Sequence, residues 1–346
     1  MSDIFKNTTM KIEQNYSLLE HNTFRIDAKT HWFMEYESED ELLNILHDEY
    51  FQESLTLHIG SGSNLLFISD YNGVILHSAI RGITIQEETE SEVVLRIGAG
   101  EKWDDVVAYA VKKGWGGIEN LSLIPGEIGA AAVQNIGAYG VEIKDVIEQV
   151  ETYNQLSFEK RIFTNAECEY GYRTSFFKNE HNDPYIITYV VIRLSKQPKF
   201  KLEYGGLQEK LADYETINLE TVREAVCSIR QSKLPDTNVI GNAGSFFMNP
   251  VISVKQFDEL KAKFTDMPHY IVSDTEVKIP AGWLIEQCGF KGKSHGNVGV
   301  YEKQALVIVN LGGANGYEIA LVAESIRQAV QDKFGIELIP EVKYVG

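Results

Sequence analysis

Apolar and polar positions follow two different periods along this chain, and the switches between them mark out its elements. Residues 38–51 open with Ser38 and Glu41 at capping-box spacing and continue with Leu42, Leu43, Ile45 and Leu46 on one face, which predicts an amphipathic helix. Leu55 to Ile59 reads as a strand that runs into a tight polar loop, Gly60 to Asn64. Gly73 to Leu76 and Val93 to Ile97 are also strand-like, and a helix is predicted from Trp103 to Lys113, stopped by Gly114. Residues 146–164 and 184–194 are rich in β-branched and aromatic side chains and read as strands. From about residue 220 the pattern turns helical. Helices are predicted over 220–232, from the Ser253/Gln256 capping spacing to Phe264, from Pro280 onward, and over 316–333 up to Gly335, with a strand at 305–310. No internal repeat interrupts this order. The pattern predicts an α+β region of about 200 residues and a separate α+β unit of about 130, with no flexible linker near 215–235.

Composition narrows the function classes. The 346 residues carry 32 Lys plus Arg against 50 Asp plus Glu, a net charge of −18. Such a surface repels nucleic acid and anionic membranes, although a local basic cluster can still hold a small anion. Apolar residues make up 44% and charged residues 24%, the balance of an ordinary folded protein. Cys168, Cys227 and Cys288 form no CxxC pair, as expected of reduced thiols in a cytosol. No secretory signal or membrane span is readable, so a soluble, cytoplasmic protein is expected. The eight histidines show no HExxH, HxH or Cys/His spacing, and no metal is expected.

Three segments are candidates for chemistry. Gly60 to Leu65 resembles a dinucleotide loop, but Leu65 occupies the third glycine position, so the Rossmann fingerprint is absent. An anion nest and an ordinary turn both remain open there. Residues 116–140 hold six of the 28 glycines and four alanines, a density at which backbone comes close to something large and flat or to another backbone. Ser245, between Gly244 and two phenylalanines, is either a turn residue or a hydroxyl presented beside an apolar wall; no GxSxG elbow surrounds it. Arg173, set among aromatics at 170–178, is by itself an ordinary packed or ion-paired arginine.

Long segments occur in order along the chain: GSGSNLLF at 60–67, IPGEIGAAAVQNIGAYG at 124–140, YGYRTSFFK at 170–178 and KLPD at 233–236. GNAGSFFMNP at 241–250, AGWLIEQCGFKG at 281–292, QALVIVN at 304–310 and the PEVKYVG segment at 340–346 follow. Taken together, these segments resemble the UDP-N-acetylenolpyruvoylglucosamine reductases over essentially the whole chain. The resemblance implies an α+β fold: a two-lobed FAD-binding region of vanillyl-alcohol-oxidase (PCMH) type, with lobes over 1–72 and 73–215, and a C-terminal α+β substrate-binding domain over 216–346. It implies bound FAD, NADPH as hydride donor, and reduction of UDP-N-acetylglucosamine enolpyruvate to UDP-N-acetylmuramate in peptidoglycan precursor synthesis. A monomer without nucleic-acid or membrane partners is expected.

Carried over residue by residue, Ser245 is the expected proton donor to C2, with Arg173 and Glu341 polarising the substrate carboxylate. FAD contacts are expected at Gly60, Gly62, Ser63, Asn64, Pro125, Gly126, Gly129, Ala130, Gln134, Asn135, Gly137, Tyr139 and Arg230. Substrate contacts are expected at Tyr204, Lys233, Asn249, Tyr270, Lys291 and Gln304. The segment at 200–206 resembles the mobile tyrosine loop of the type I subclass, so a lid motion is expected there. The sequence departs from the family pattern at Met248 (commonly lysine), Tyr301 (histidine), Lys343 (arginine) and Ala132 (proline). These departures touch the finer nucleotide contacts and leave the three catalytic candidates in place.

Overall fold

The computed structural model describes residues 10–179, 184–204 and 206–346. Residues 1–9 of the expected first lobe, and Gly205 of the expected tyrosine loop, lie outside them. The N-terminal elements are β1 (Lys11–Ser17), β2 (Lys29–Tyr36), α1 (Glu39–Leu46), α2 (Glu49–Gln52), β3 (Thr56–Ile59), β4 (Leu65–Phe67) and β5 (Tyr71–Ser78). Next come β6 (Ile83–Glu88), β7 (Glu92–Gly98), α3 (Trp103–Lys112), α4 (Ile128–Gln134), β8 (Gly137–Ala138), β9 (Val141–Glu142), β10 (Ile147–Asn154), β11 (Lys160–Thr164) and β12 (Tyr185–Ser195). Then follow α5 (Leu207–Leu211), α6 (Leu219–Lys233), β13 (Gly241–Asn242), β14 (Val251–Ser253), α7 (Val254–Lys261), β15 (Tyr270–Ile271) and β16 (Glu276–Lys278). The last are α8 (Ala281–Gln287), β17 (Ser294–His295), β18 (Val298–Val300), β19 (Ile308–Asn310), α9 (Gly316–Phe334) and β20 (Lys343–Val345).

The chain forms two compact units that do not follow chain order. The first takes residues up to Tyr16, Thr30–Ser61 and Asn72–Arg230; the second takes Ser17–Lys29, Gly62–Tyr71 and Gln231–Gly346. Two short excursions of the N-terminal chain therefore belong with the C-terminal one.

The first unit holds two sheets. One has the order β1-β2-β5-β3, with β3 parallel to β5; the other is antiparallel, β11-β10-β12-β7-β6. Against the five-stranded sheet, α3 buries Trp103, Val106, Val107 and Ala110, and α4 buries Ile128, Ala131 and Ala132. Against the four-stranded sheet, α1 buries Leu42, Ile45 and Leu46 beside Met34 and Val74. A third cluster joins α5 to α6 through Leu207, Leu211, Val222 and Val226, with Phe200 and Leu202 packed on it. In the second unit β13-β19-β18-β17 form one sheet and β14-β16-β15 another, while β20 pairs parallel to β4. Mixed helix and sheet in both units is the α+β class expected from the sequence.

Most predicted elements appear near their expected bounds. The helix expected over 38–51 is two: Ser38 caps α1 by accepting from the Glu41 N–H, and Asp48 starts α2 by accepting from the Tyr50 and Phe51 N–H groups. A capping carboxylate within a helical pattern restarts the turn instead of extending it.

Candidate active site

The glycine-rich segment of the first unit is built around α4. Gly129 donates its N–H to Ala99 O, and a Cβ there would come 2.9 Å from the Ala99 methyl, so this glycine lets α4 lie close on the neighbouring backbone. The helix ends at Asn135, whose φ of 45° is left-handed. Its buried side chain is fully engaged: Nδ2 donates to Gly171 O (2.7 Å) and Glu142 (3.1 Å), and Oδ1 accepts from Lys144 N–H (3.2 Å). Asn135 thus ties the end of α4 to the 171–174 turn. In that turn Arg173, itself at φ 57°, donates Nη2 to Gly137 O at 2.6 Å and Nη1 to Asn135 O at 3.5 Å. Leu123, Asn135, Tyr139 and Arg173 all hold positive φ, a concentration of unfavourable backbone at one place.

Around Tyr139 the charges converge. Arg230 of α6 has a buried Nε with no hydrogen-bond partner among the described residues. Burial pushes its guanidinium down from the usual range and nearby Arg173 pushes the same way, while Tyr139, Cys227 and Asp104 partly offset them. Asp104 accepts both Arg223 Nη groups (2.6 and 2.8 Å) and the Leu123 N–H (2.6 Å). Wholly buried Asn120 donates Nδ2 to Tyr139 O and Lys201 O, both at 2.8 Å. Tyr204 lies beyond, half exposed, with its Cβ 3.7 Å from the place of a Gly140 Cβ. Sequence reasoning missed Asn120, Asp104 and Arg223, because their partners lie up to 119 positions away and no spacing announces them.

The second unit gathers a different set. Gly244, at φ 69°, presents the exposed Ser245 just before Phe246 and Phe247, which are buried. Phe247 bridges Pro340, and Glu341 donates its N–H to Phe246 O at 2.8 Å, so Ser245 and Glu341 sit on paired backbone. Asn64 completes the group: Nδ2 donates to Glu341 O at 3.0 Å, and its carbonyl accepts from Lys343 N–H at 3.0 Å. A Cβ on Gly62 would fall 1.9 Å from His21 O, which accounts for glycine there. Asn249 Oδ1 accepts from Ala281 N–H at the start of α8, and Gln304 Oε1 from Leu306 N–H. Lys291 is ion-paired to Glu286 at 3.0 Å, whereas Tyr270 and Lys233 are exposed. The structure therefore brings Asn64, Ser245 and Glu341 together in one unit and Asn135, Gly137, Tyr139, Arg173 and Arg230 in the other.

These residues fit a flavin. A buried guanidinium N–H without a partner, beside a tyrosine and a segment stripped of side chains, matches a planar ring system rich in hydrogen-bond acceptors. Residues 31–155 match the family model described as FAD binding domain, and residues 235–345 match UDP-N-acetylenolpyruvoylglucosamine reductase, C-terminal domain. The UDP-N-acetylenolpyruvoylglucosamine reductase of Bacteroides fragilis is 50% identical over 334 residues, covering 96% of this chain and all of that protein. The chain belongs to the UDP-N-acetylenolpyruvoylglucosamine reductase family. It is a flavin-dependent oxidoreductase of peptidoglycan precursor synthesis with an FAD-binding domain. The reductase of Porphyromonas gingivalis is 49% identical over 337 residues, covering 97% of this chain and all of that one. The crystal structure of the reductase from Thermus caldophilus superposes with a TM-score of 0.69 at 21% identity, covering 97% of this chain and all of that one, and shares the fold. Among the described residues no helix is long and apolar enough to cross a membrane, and no cluster of His, Cys, Asp and Glu could hold a metal ion.

Proposed function

We propose that this reductase converts UDP-N-acetylglucosamine enolpyruvate to UDP-N-acetylmuramate with NADPH as hydride donor. The observation that carries the reading is the backbone pairing of the Ser245 and Glu341 segments with Asn64 beside them. FAD, held by the residues named below, would supply the redox chemistry that links NADPH to reduction of the enolpyruvyl ether at C3. The addition places negative charge on C2 and on the conjugated carboxylate. Arg173 pairs with that carboxylate, and Glu341, kept protonated by its anionic neighbour, donates a hydrogen bond to it. Ser245 gives its hydroxyl proton to C2 and recovers one from water. A hydroxyl is a weak acid in water, but the carbanion it meets is a far stronger base.

The remaining assignments belong to the same proposal. Gly60, Gly62, Ser63, Asn64, Pro125, Gly126, Gly129, Ala130, Gln134, Asn135, Gly137, Tyr139 and Arg230 contact FAD. Tyr204, Lys233, Asn249, Tyr270, Lys291 and Gln304 bind the UDP-sugar, with the two lysines offsetting diphosphate charge. The enzyme works as a cytoplasmic monomer, and the lobes part near 72 and 215. An anaerobic titration tests the reading: the flavin band bleaches with NADPH and returns on adding the enolpyruvyl sugar. A flavin that bleaches but ignores the sugar overturns the substrate, and a protein that takes up no FAD overturns the cofactor.

A further inference from the structure

Under Gly60 the first unit holds a charged cluster that no site assignment uses. Buried His77 of β5 sets Nδ1 2.7 Å from Glu35 Oε2 of β2, and Nε2 3.0 and 3.2 Å from the two carboxylate oxygens of Glu127. Glu127 is also buried and lies between Gly126 and α4; its Oε2 is 3.0 Å from where a Cβ on Gly60 would stand. A neutral imidazole donates from one nitrogen only. Between two carboxylates, a proton on both nitrogens lets each N–H donate to the oxygen it faces.

The groups around the ring agree with that charge. From β3, His58 bonds the Tyr36 phenol at 2.7 Å; burial first, and the neighbouring His77 second, push it down to about 3, so it stays neutral. From β2, Phe33 stacks on His77 with ring centroids 6.2 Å apart. Lys11 of β1 also feels the charge of Glu35. For His77 itself, burial alone lowers the pKa, but the bonds and charges of Glu127 and Glu35 outweigh it and the net direction is upward.

We propose that His77 is a positioning residue for the cofactor: as an imidazolium it holds and neutralises Glu127, so that the backbone at Gly60 and Gly126 to Ala130 admits the FAD diphosphate. This rests on the reading of those residues as cofactor contacts. When His77 loses its proton, Glu127 becomes an uncompensated buried carboxylate beside an incoming dianion, and FAD binding weakens.

The test is the dissociation constant of FAD from the apoprotein, followed by flavin fluorescence between pH 6 and 9, where the diphosphate stays ionised. The constant is expected to rise about tenfold as pH rises, a coupling of about 1.4 kcal/mol. Glu127→Gln keeps tight binding and flattens the profile. His77→Gln weakens binding about tenfold, and His77→Gln combined with Glu127→Gln recovers it, a rescue that simple loss of packing does not give. A flat wild-type profile, or a Glu127→Gln profile as steep as wild type, overturns the proposal. If no FAD binds at any pH, the cofactor reading fails and takes this one with it; tight, pH-independent FAD fails this one alone.

Discussion

A methyl group on residue 137 would stand 2.9 Å from Arg173 Nη1 and from Glu142 Cγ, so this glycine is set by protein contacts as much as by any ligand. Side chains of that kind divide what the sequence reveals from what it hides. Ser245 stands out as a candidate because its motif lies within ten residues, whereas the bond from Asn135 to Gly171 does not show in the sequence, since Gly171 lies 36 positions downstream. His77 and Glu127 gave no signal, because two residues 50 apart announce nothing until the sheet brings them together. The residue-scale prediction concerns the proposed proton donor. In Ser245→Ala, NADPH still bleaches the flavin at the wild-type rate, while reoxidation by the enolpyruvyl sugar slows by roughly 10²–10⁴-fold in stopped flow. Reoxidation at the normal rate removes Ser245 from the mechanism.

Elements are held here by side chains reaching across them. Asp104 on α3 grips Arg223 on α6 and the Leu123 N–H in one carboxylate, bracing a left-handed turn that leads into Pro125 and Gly126. Breaking a half-buried, bidentate pair costs about 2 kcal/mol. Asp104→Asn is therefore expected to lower the urea midpoint by an amount matching that loss with an unchanged slope; a midpoint equal to wild type counts against the brace. Long periodic helices such as α9 were readable from sequence, with Asn315 and Glu318 forming the capping box and Gly335 the stop. Helix α4 was not, because Gly129, Ala130, Ala131 and Ala132 show no contrast between faces, and its formation depends on the sheet beneath. Strands β1 and β2 were missed for a related reason: their burial pattern is irregular and not alternating.

At the scale of the molecule, the α+β class was legible, whereas the grouping of 17–29 and 62–71 with residues 231–346 was not; pairing partners hundreds of residues apart leave no local trace. The charges are also unevenly shared. Among the described residues, the carboxylates held below their ordinary range are Asp104, Glu151 and Glu167, all in the first unit. Burial opposes the shift at Asp104 and Glu151, and Arg223 in one case and Arg96 with Lys160 in the other overcome it. A depressed carboxylate adds stability above its unfolded pKa and loses it as pH falls through the lower folded value. His77, raised, has the opposite sign: its contribution is complete below its unfolded pKa and fades as pH rises through the folded one. Acid is thus expected to open the first unit before the second, and pepsin below about pH 4 should cut first within 72–230; first cuts within 231–346 refute this.

The parallel pairing of β20 with β4 has a consequence for synthesis. Leu66 and Phe67 emerge from the ribosome about 280 residues before their partners Tyr344 and Val345. Throughout that interval an apolar strand edge has no neighbour. A nascent chain can complete the sheets of its first body while the strand that steadies Asn64, and with it Glu341, still waits. Synthesis therefore passes through a stage in which the sheets of the first unit can be complete while the β4–β20 pair is not.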